Sequence, residues 1–276
     1  MQILNHPLFI AVIFICLAVE FLLSKKYGLS NFSGYEAITN IILMSFDKII
    51  ALFTGTDGGP IVKWLWSHKF FELSFSPTTN FILTFITVEF MYYWNHWYNH
   101  HVNIGWATHI MHHTPTKFNL SLGYRLGITR FISLGWIVFL PLILFGFPPA
   151  DIALTIGIMF LYQFFIHTEL VPKLGFLDFI INTPSNHRVH HSSNPEHYNK
   201  NLGGITMCFD HLFGTFHAEG DRSKMEYGIP SVMNKRNLWF EITCHWQVVF
   251  SQFRKASGIK GKLIALFGSS SQGQKG

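Results

Sequence analysis

The sequence predicts an all-α integral membrane protein, with four or five transmembrane helices and a cytoplasmic helical cap that carries a histidine-rich site. Three observations support this class. The composition is 49% hydrophobic and 17% aromatic with only 13% charged residues, whereas an average soluble domain has about 25% charged residues. Several apolar runs approach the length of a membrane helix. Sixteen histidines are present, and most of them are clustered.

Five apolar runs are candidates for membrane helices. They are Leu8–Leu23, Ala37–Phe53, Thr78–Trp94, Phe131–Phe147 and Ile152–Ile166. A spanning helix needs about 20 residues, so we expect the ends of these runs at the headgroups. The second run contains Asp47 and Lys48, each costing roughly 2.5–3.5 kcal/mol at the bilayer centre, and is therefore counted as optional. Only four residues separate the last two runs, which predicts a tight transmembrane hairpin.

The basic residues predict the orientation. Lys117, Arg125 and Arg130 lie between the third and fourth runs, and many more follow Thr168, whereas the loop at Pro148 has none. The positive-inside rule places the basic segments in the cytoplasm. The net charge of +5 suits an anionic membrane surface, and no basic module interleaved with aromatics suggests nucleic acid as a partner.

We expect three regions along the chain. Residues 1–78 carry the N-terminal membrane segments, residues 79–220 form the catalytic domain, and residues 221–276 form a C-terminal cytoplasmic tail. The composition of Gly268–Gly276 predicts disorder. The first apolar run lacks the basic start of a signal peptide, so we expect it to be retained.

Nine histidines are expected at one cytoplasmic membrane interface. Eight of them form three clusters with the spacing of metal ligands, and the ninth, His167, stands alone at the end of the fifth run. The nine are His96, His100, His109, His112, His113, His167, His187, His190 and His191. Residues three and four apart share a helix face, so each cluster directs its imidazoles to one point. Neutral imidazole binds iron, zinc, copper and nickel. Nine ligands are too many for one ion, so the pattern predicts a di-metal site.

The remaining histidines have plainer interpretations. His6, His68 and His245 are interpreted as ordinary surface or interface residues. For His101, His197, His211 and His217 the choice stays open between an ordinary residue and a further ligand or ligand partner.

Glu89 precedes His96 by seven residues, about two helical turns, and so lies on the same face. It could orient a histidine N–H as a hydrogen-bond acceptor, or it could make a structural hydrogen bond within the membrane. Asn182, Asn186 and Asn199 are weaker candidates for the first role.

The combined pattern resembles the fatty acid hydroxylase/sterol desaturase superfamily of membrane di-iron enzymes. The clusters H-x3-H, H-x2-H-H and H-x2-H-H between apolar hairpins carry the resemblance, from about Phe81 to Phe216. The segment Glu89–His96, in which an acidic residue is followed by Tyr-Trp-Asn-His, is similar to a segment of that family. So are Asn199–Gly203 and Asp210–Thr215.

Within the superfamily, Tyr162–Glu169, Asn182–His191 and His112–Ser121 resemble the alkylglycerol monooxygenase branch, which cleaves ether lipids. The resemblance implies an O2-dependent lipid monooxygenase with two iron ions on the nine histidines, with zinc as an alternative in a purified or crystallised form. It also implies reduced pterin as the external electron donor.

The chain departs from the family pattern at two positions. Trp97 replaces the usual Arg, and Gln163 replaces a histidine present in some members. The tenth metal ligand is therefore open between Gln163, a water and a spare histidine such as His101 or His197. No cytochrome b5 or iron–sulfur pattern is found, so a separate electron donor is expected.

Two alternatives accompany this interpretation. The first is a fatty acid or sterol hydroxylase or desaturase. The second is a membrane protein that binds metal without catalysis, such as a transporter or a zinc-stabilised scaffold. Against transport, the ligands are expected at one interface and not along a path through the bilayer.

Overall fold

The computed structural model describes residues 7–54, 59–125, 127–233 and 237–270. In these ranges the regular structure is helical, with isolated β-bridges beside it, which confirms the all-α prediction. His6, the side chains of Asp47 and Lys48, and residues 271–276 of the tail predicted to be disordered lie outside the described residues.

Long helices cover the first three apolar runs. The first half of the chain forms α1 Pro7–Lys26, α2 Gly34–Thr54, α3 Gly59–Ser67, α4 Pro77–His101 and α5 Asn103–His113. Helix α4 begins where the Ser76 side chain accepts a hydrogen bond from the Thr79 N–H at 3.2 Å, with Pro77 in the first turn, as expected of an N-terminus. At 25 residues it is about 37 Å long. The extended backbone of Val102 ends α4 and turns the chain directly into α5.

The prediction of one transmembrane helix over Phe131–Phe147 is wrong. The segment forms a 3₁₀ helix, Gly135–Phe139, followed by α6 Leu140–Leu144, together about 18 Å long. Leu134 has a left-handed backbone with φ 62°, which breaks the start of the run. Pro141 lies in the first turn of α6, because a proline there lacks only an N–H that has no helical partner.

The second half of the chain contains one long apolar helix and several short ones. The helices are α7 Pro149–Ile166, α8 Leu177–Ile180, α9 Pro184–His191, α10 Cys208–Phe213, α11 Pro230–Met233, α12 Leu238–Lys255 and α13 Gly258–Phe267. Among the described residues, α7 alone is long and apolar enough to cross a membrane.

Helices α4 and α5 are the centre of the fold. Val88 of α4 and Met159 of α7 are fully buried in one apolar cluster. On the other side, Ala107 of α5 packs with Trp246 and Val249 of α12. The corner between α4 and α5 is therefore held between α7 and α12, and the histidine clusters lie at this corner.

Candidate metal centre

The structure brings the nine clustered histidines together in two groups. The first group consists of His96, His100, His109, His113 and His190, and the second of His112, His167, His187 and His191. Within each group, one ring nitrogen from every residue lies within 4.8 Å of the others. The groups are adjacent, since the rings of His113 and His191 stack with their centroids 4.5 Å apart.

Four elements present these side chains. The last turns of α4 and α5 carry the first two clusters, His167 follows the last residue of α7, and α9 carries the third cluster. Helix α9 is polar in sequence, yet all eight of its residues are buried. A short polar helix is stable in the interior only when its polar groups find partners, so its surroundings must supply them.

Backbone carbonyls determine which nitrogen of several imidazoles carries the hydrogen. The Nδ1–H of His96 donates to the Leu202 carbonyl at 2.9 Å, and that of His190 donates to the Lys200 carbonyl at 3.0 Å. In the second group, His167 donates in the same way to Gln163 at 2.5 Å. In these tautomers Nε2 carries a lone pair that can bind a metal, and metal-binding histidines typically make such a second hydrogen bond.

In the second group, the Nε2 atoms of His112 and His167 cannot form a hydrogen bond with each other, because neither carries a hydrogen. His112 Nδ1 lies 3.3 Å from the Arg125 carbonyl, so both His112 and His167 direct an Nε2 lone pair inward. These two Nε2 atoms are 3.4 Å apart. A hydrogen bond needs a proton on one of them, whereas a cation between them is attractive to both. His190 and His191 likewise have buried Nε2 atoms with no hydrogen-bond partner.

Burial also keeps the imidazoles neutral. It lowers the pKa of His190 to about 3 and the pKa of His167 to about 4. The pKa values of His187 and His191 are also lowered, by burial first and by neighbouring histidines second. Neutral imidazole is the form that binds a metal, so the nitrogen-only donor set fits metal ions such as iron or zinc.

Among the described contacts, Glu89 accepts no hydrogen bond from a histidine. Its carboxylate accepts from the backbone N–H groups of Ile205 at 3.0 Å and Thr206 at 3.0 Å. This corresponds to the structural interpretation. Glu89 is thus linked to the histidines through the chain segment 200–206, which we call the 200–206 loop.

The asparagines act on backbone in the same region. Asn182 Nδ2 donates to the Gly203 carbonyl at 2.7 Å, and Asn186 Nδ2 donates to the carbonyls of Asp178 and Ile181. Neither side chain hydrogen-bonds to a histidine, so the proposed direct role of Asn182 and Asn186 is not seen among the described contacts.

Asp210 completes the support of the 200–206 loop and was missed as a functional residue. Its two carboxylate oxygens accept from the N–H groups of Leu202 and Gly203, both at 2.7 Å. Leu202 therefore donates to Asp210 while its carbonyl accepts from His96. The available signal was the segment Asp210–Thr215, which resembles the family without an assigned role.

Two buried arginines were also missed. Arg125, counted above among the basic residues of a cytoplasmic segment, is fully buried and forms an ion pair with Glu241 of α12. Arg188, between the histidines of α9, is fully buried and binds both carboxylate oxygens of Glu219, at 2.6 and 2.9 Å. An arginine between clustered histidines suggests a buried acidic partner, but the sequence does not indicate which acidic residue this is.

Two candidates for further ligands, His101 and His197, lie outside both groups. Gln163 Oε1 accepts from the Tyr92 hydroxyl at 2.9 Å. The ring of His101 stacks on Trp97, and that of His197 contacts His217.

The other histidines are divided between surface and interior. His68 and His211 hydrogen-bond to the carbonyls of Trp64 and Phe179. His245, interpreted above as a surface or interface residue, is buried in α12.

Comparison with known proteins identifies the family. The fatty acid hydroxylase family matches residues 81–215. Alkylglycerol monooxygenase of Danio rerio is 38% identical over 205 residues, 74% of this chain and 45% of the relative. That of Homo sapiens is 36% identical over 230 residues, 83% of this chain and 50% of the relative. Ornithine lipid hydroxylase of Rhizobium tropici is 31% identical over 159 residues, 56% of this chain and 46% of the relative.

The chain spans about half the length of the curated relatives it matches. No solved structure shows significant similarity to it. The matched residues 81–215 contain both histidine groups, and the resemblance inferred from the motifs is confirmed. The matched region of the chain, residues 81–215, belongs to the fatty acid hydroxylase family.

Proposed function

We propose that this chain is a membrane oxygenase that uses O2 and two histidine-bound iron ions to hydroxylate a lipid C–H bond. The observation that carries the proposal is the pair of adjacent imidazole groups, with nitrogen lone pairs directed inward. The nine histidines would be the ligands, five for one ion and four for the other. The donor set suits zinc as well as iron, so the choice of iron rests on the similarity to the family.

The residues of the chain prepare the site for this chemistry. When bound, the metal pair supplies the activation of O2. The carbonyls of Lys200, Leu202 and Gln163 hold three imidazoles in the tautomer that binds metal. Eight of the nine histidines are buried, which limits the access of bulk water and so protects an oxidising site from side reactions.

The proposal includes a multi-pass membrane arrangement with the site on the cytoplasmic side. Helices α1, α2, α4 and α7 would cross the bilayer, and Gly135–Leu144 would return beside α4. Exposed apolar side chains such as Ile15 and Leu22 of α1 and Leu154 of α7 support contact with lipid. The Gly135 carbonyl accepts from Asn95 near the end of α4, and the Leu144 carbonyl accepts from Phe70 before its start, so the return segment runs antiparallel to α4.

The substrate is proposed to be an alkylglycerol-type ether lipid, because four alkylglycerol monooxygenases are 30–38% identical to this chain over the aligned residues. One oxygen atom of O2 would enter the C–H bond of the ether carbon. The other would leave as water, with two electrons and two protons from a separate donor, for which reduced pterin is proposed. The hydroxylated ether carbon then breaks its C–O bond to give an aldehyde and an alcohol.

A second candidate is hydroxylation of an acyl chain, which the similarity to an ornithine lipid hydroxylase favours. Cells with and without the protein, supplied with ¹⁸O2, distinguish the two. Ether-lipid cleavage gives a labelled fatty aldehyde, trapped by immediate reduction, whereas acyl hydroxylation gives a labelled hydroxy lipid of unchanged chain length. Two bound zinc ions with no labelled lipid would instead support a metal-binding protein without catalysis.

A further inference from the structure

The C-terminal part of the chain has a one-sided charge. No acidic residue follows Glu241, whereas Arg254, Lys255, Lys260 and Lys262 are close together at the end of α12 and in α13. Clusters of lysine and arginine on an amphipathic helix are the pattern that binds anionic lipid headgroups.

The same region exposes an apolar face. Ile259, Leu263 and Phe267 recur every four residues in α13, so they share one side of the helix, and they are 79%, 50% and 46% exposed. Ile264 beside them is 58% exposed, while Ala265 on the opposite side is buried. Helices with large apolar side chains on one face and lysines beside them lie in the plane of a membrane surface.

Helix α13 is attached at the end of α4. The Asn103 N–H donates to the Gly268 carbonyl at 3.0 Å, and the Ser270 hydroxyl donates to the His100 carbonyl at 2.5 Å. The Ser270 N–H donates to the His101 carbonyl at 2.9 Å. If α4 crosses the bilayer, as the proposed function requires, this attachment places α13 at the boundary between lipid and water.

We propose that α13 and the basic end of α12 form an interfacial membrane-binding element, whose partner is an anionic phospholipid surface. The face of Ile259, Leu263 and Phe267 would enter the boundary between headgroups and acyl chains by about 5–10 Å. Lys260 and Lys262 extend their aliphatic stems along this face and place their ammonium groups among the phosphates. None of the residues of this element belongs to the two histidine groups.

Spin labels test this placement in the full chain. Cys16, Cys208 and Cys244 are replaced by serine, and single labels are introduced through Leu263→Cys or Ile259→Cys. The protein is reconstituted in bilayers of phosphatidylcholine, with or without phosphatidylglycerol. Relaxation by O2 and by a water-soluble nickel chelate reports the depth. We expect the labels at 259 and 263 to be protected from nickel, more deeply with phosphatidylglycerol. Lys260→Glu with Lys262→Glu should remove the lipid dependence, whereas Lys224→Glu, an exposed charge elsewhere, should not.

Two reference labels separate failure of this inference from failure of the membrane arrangement. Phe160→Cys in α7 should lie in the hydrocarbon, and Ser223→Cys in an exposed loop should lie in water. A label at 263 that is as accessible to nickel as the label at 223, while 160 is protected, would overturn the inference alone. Nickel access at 160 would overturn the membrane arrangement and this inference with it. Protection at 263 that is equal in detergent and in both bilayers would show that protein covers the face, which also overturns it.

Discussion

The carboxylates of Glu89 and Asp210 bind four consecutive or nearly consecutive backbone N–H groups of the 200–206 loop. Both carboxylates are buried, and neither forms an ion pair within the described residues. The carbonyls of Lys200 and Leu202 in the same loop accept from His190 and His96. The two carboxylates therefore hold the loop in place, and the carbonyls of the loop orient two imidazoles.

Substitution Glu89→Gln should weaken this support. The amide has one acceptor oxygen, and its NH2 group would face a backbone N–H, so we expect a loss of about 1–3 kcal/mol in stability. Thermal unfolding in detergent measures the loss, and metal analysis should show weaker retention. Glu226→Gln, on an exposed side chain, is the matched control. Equal melting temperatures for the two variants would refute the assigned role of Glu89.

The buried ion pair between Arg188 and Glu219 is expected to contribute strongly to stability. Arg188→Leu leaves the Glu219 carboxylate buried without its partner, which costs about 3–5 kcal/mol. The double variant Arg188→Leu with Glu219→Leu should recover part of this loss. Lys224→Ala, which removes an exposed ion pair with Asp221, should not change the melting temperature measurably. If Arg188→Leu has the same melting temperature as the Lys224→Ala control, the ion pair does not stabilise α9.

The pair also predicts a pH dependence. Burial acts to raise the pKa of Glu219, but hydrogen bonds and the charge of Arg188 outweigh it, so the pKa is lowered from 4.5. The stabilisation is therefore present above pH 4.5 and is lost as the pH falls through the lowered value. Melting curves between pH 3 and 7 should show this loss in the wild-type protein and not in the double variant.

At the scale of elements, the 200–206 loop depends on close backbone approach. A Cβ on Gly203 would lie 2.2 Å from the Thr206 carbonyl oxygen and 2.8 Å from Asp210 Oδ2, whereas a Cβ on Gly220 would meet nothing within 4 Å. Gly203→Ala should therefore lower both the melting temperature and the metal content, and Gly220→Ala should change neither. Normal metal retention in Gly203→Ala would show that the loop does not position His96 and His190.

The helices that carry the histidines were predictable because local spacing determines them. The i, i+4 spacing of His109 and His113 places them on one helix face, and an apolar run ends beside His96. The break at Leu134 was not predictable, since its left-handed backbone depends on tertiary contacts near Asn95 and Tyr98. Contacts between residues far apart in the sequence, such as those of Glu89 with the 200–206 loop, were not predictable for the same reason.

At the scale of the whole molecule, the sequence identified the nine histidines but not their division. Neighbours His112 and His113 belong to different groups, because adjacent residues on a helix point about 100° apart. The sequence alone does not state which of them faces His167. The division follows from how α5 packs against α7 and α9.

The proposed orientation can be tested in whole cells with a membrane-impermeant maleimide. Ala150→Cys lies at the start of α7 and Ser223→Cys lies beyond the histidine groups; both positions are exposed. With the native cysteines replaced, we expect Ala150→Cys to be labelled in intact cells, and Ser223→Cys only after permeabilisation. The reverse pattern would place the histidine groups outside the cell, and labelling of both in intact cells would contradict a crossing by α7.

The metal count of the purified protein tests the central claim most directly. After anaerobic loading with ferrous iron and removal of excess metal, the wild-type chain should retain two irons, one for each histidine group. His109→Ala with His190→Ala should retain one, and so should His187→Ala with His191→Ala. His68→Ala with His211→Ala, outside both groups, should retain two. One iron in the wild type, or full retention in either paired variant of a histidine group, would contradict a site of two metal positions.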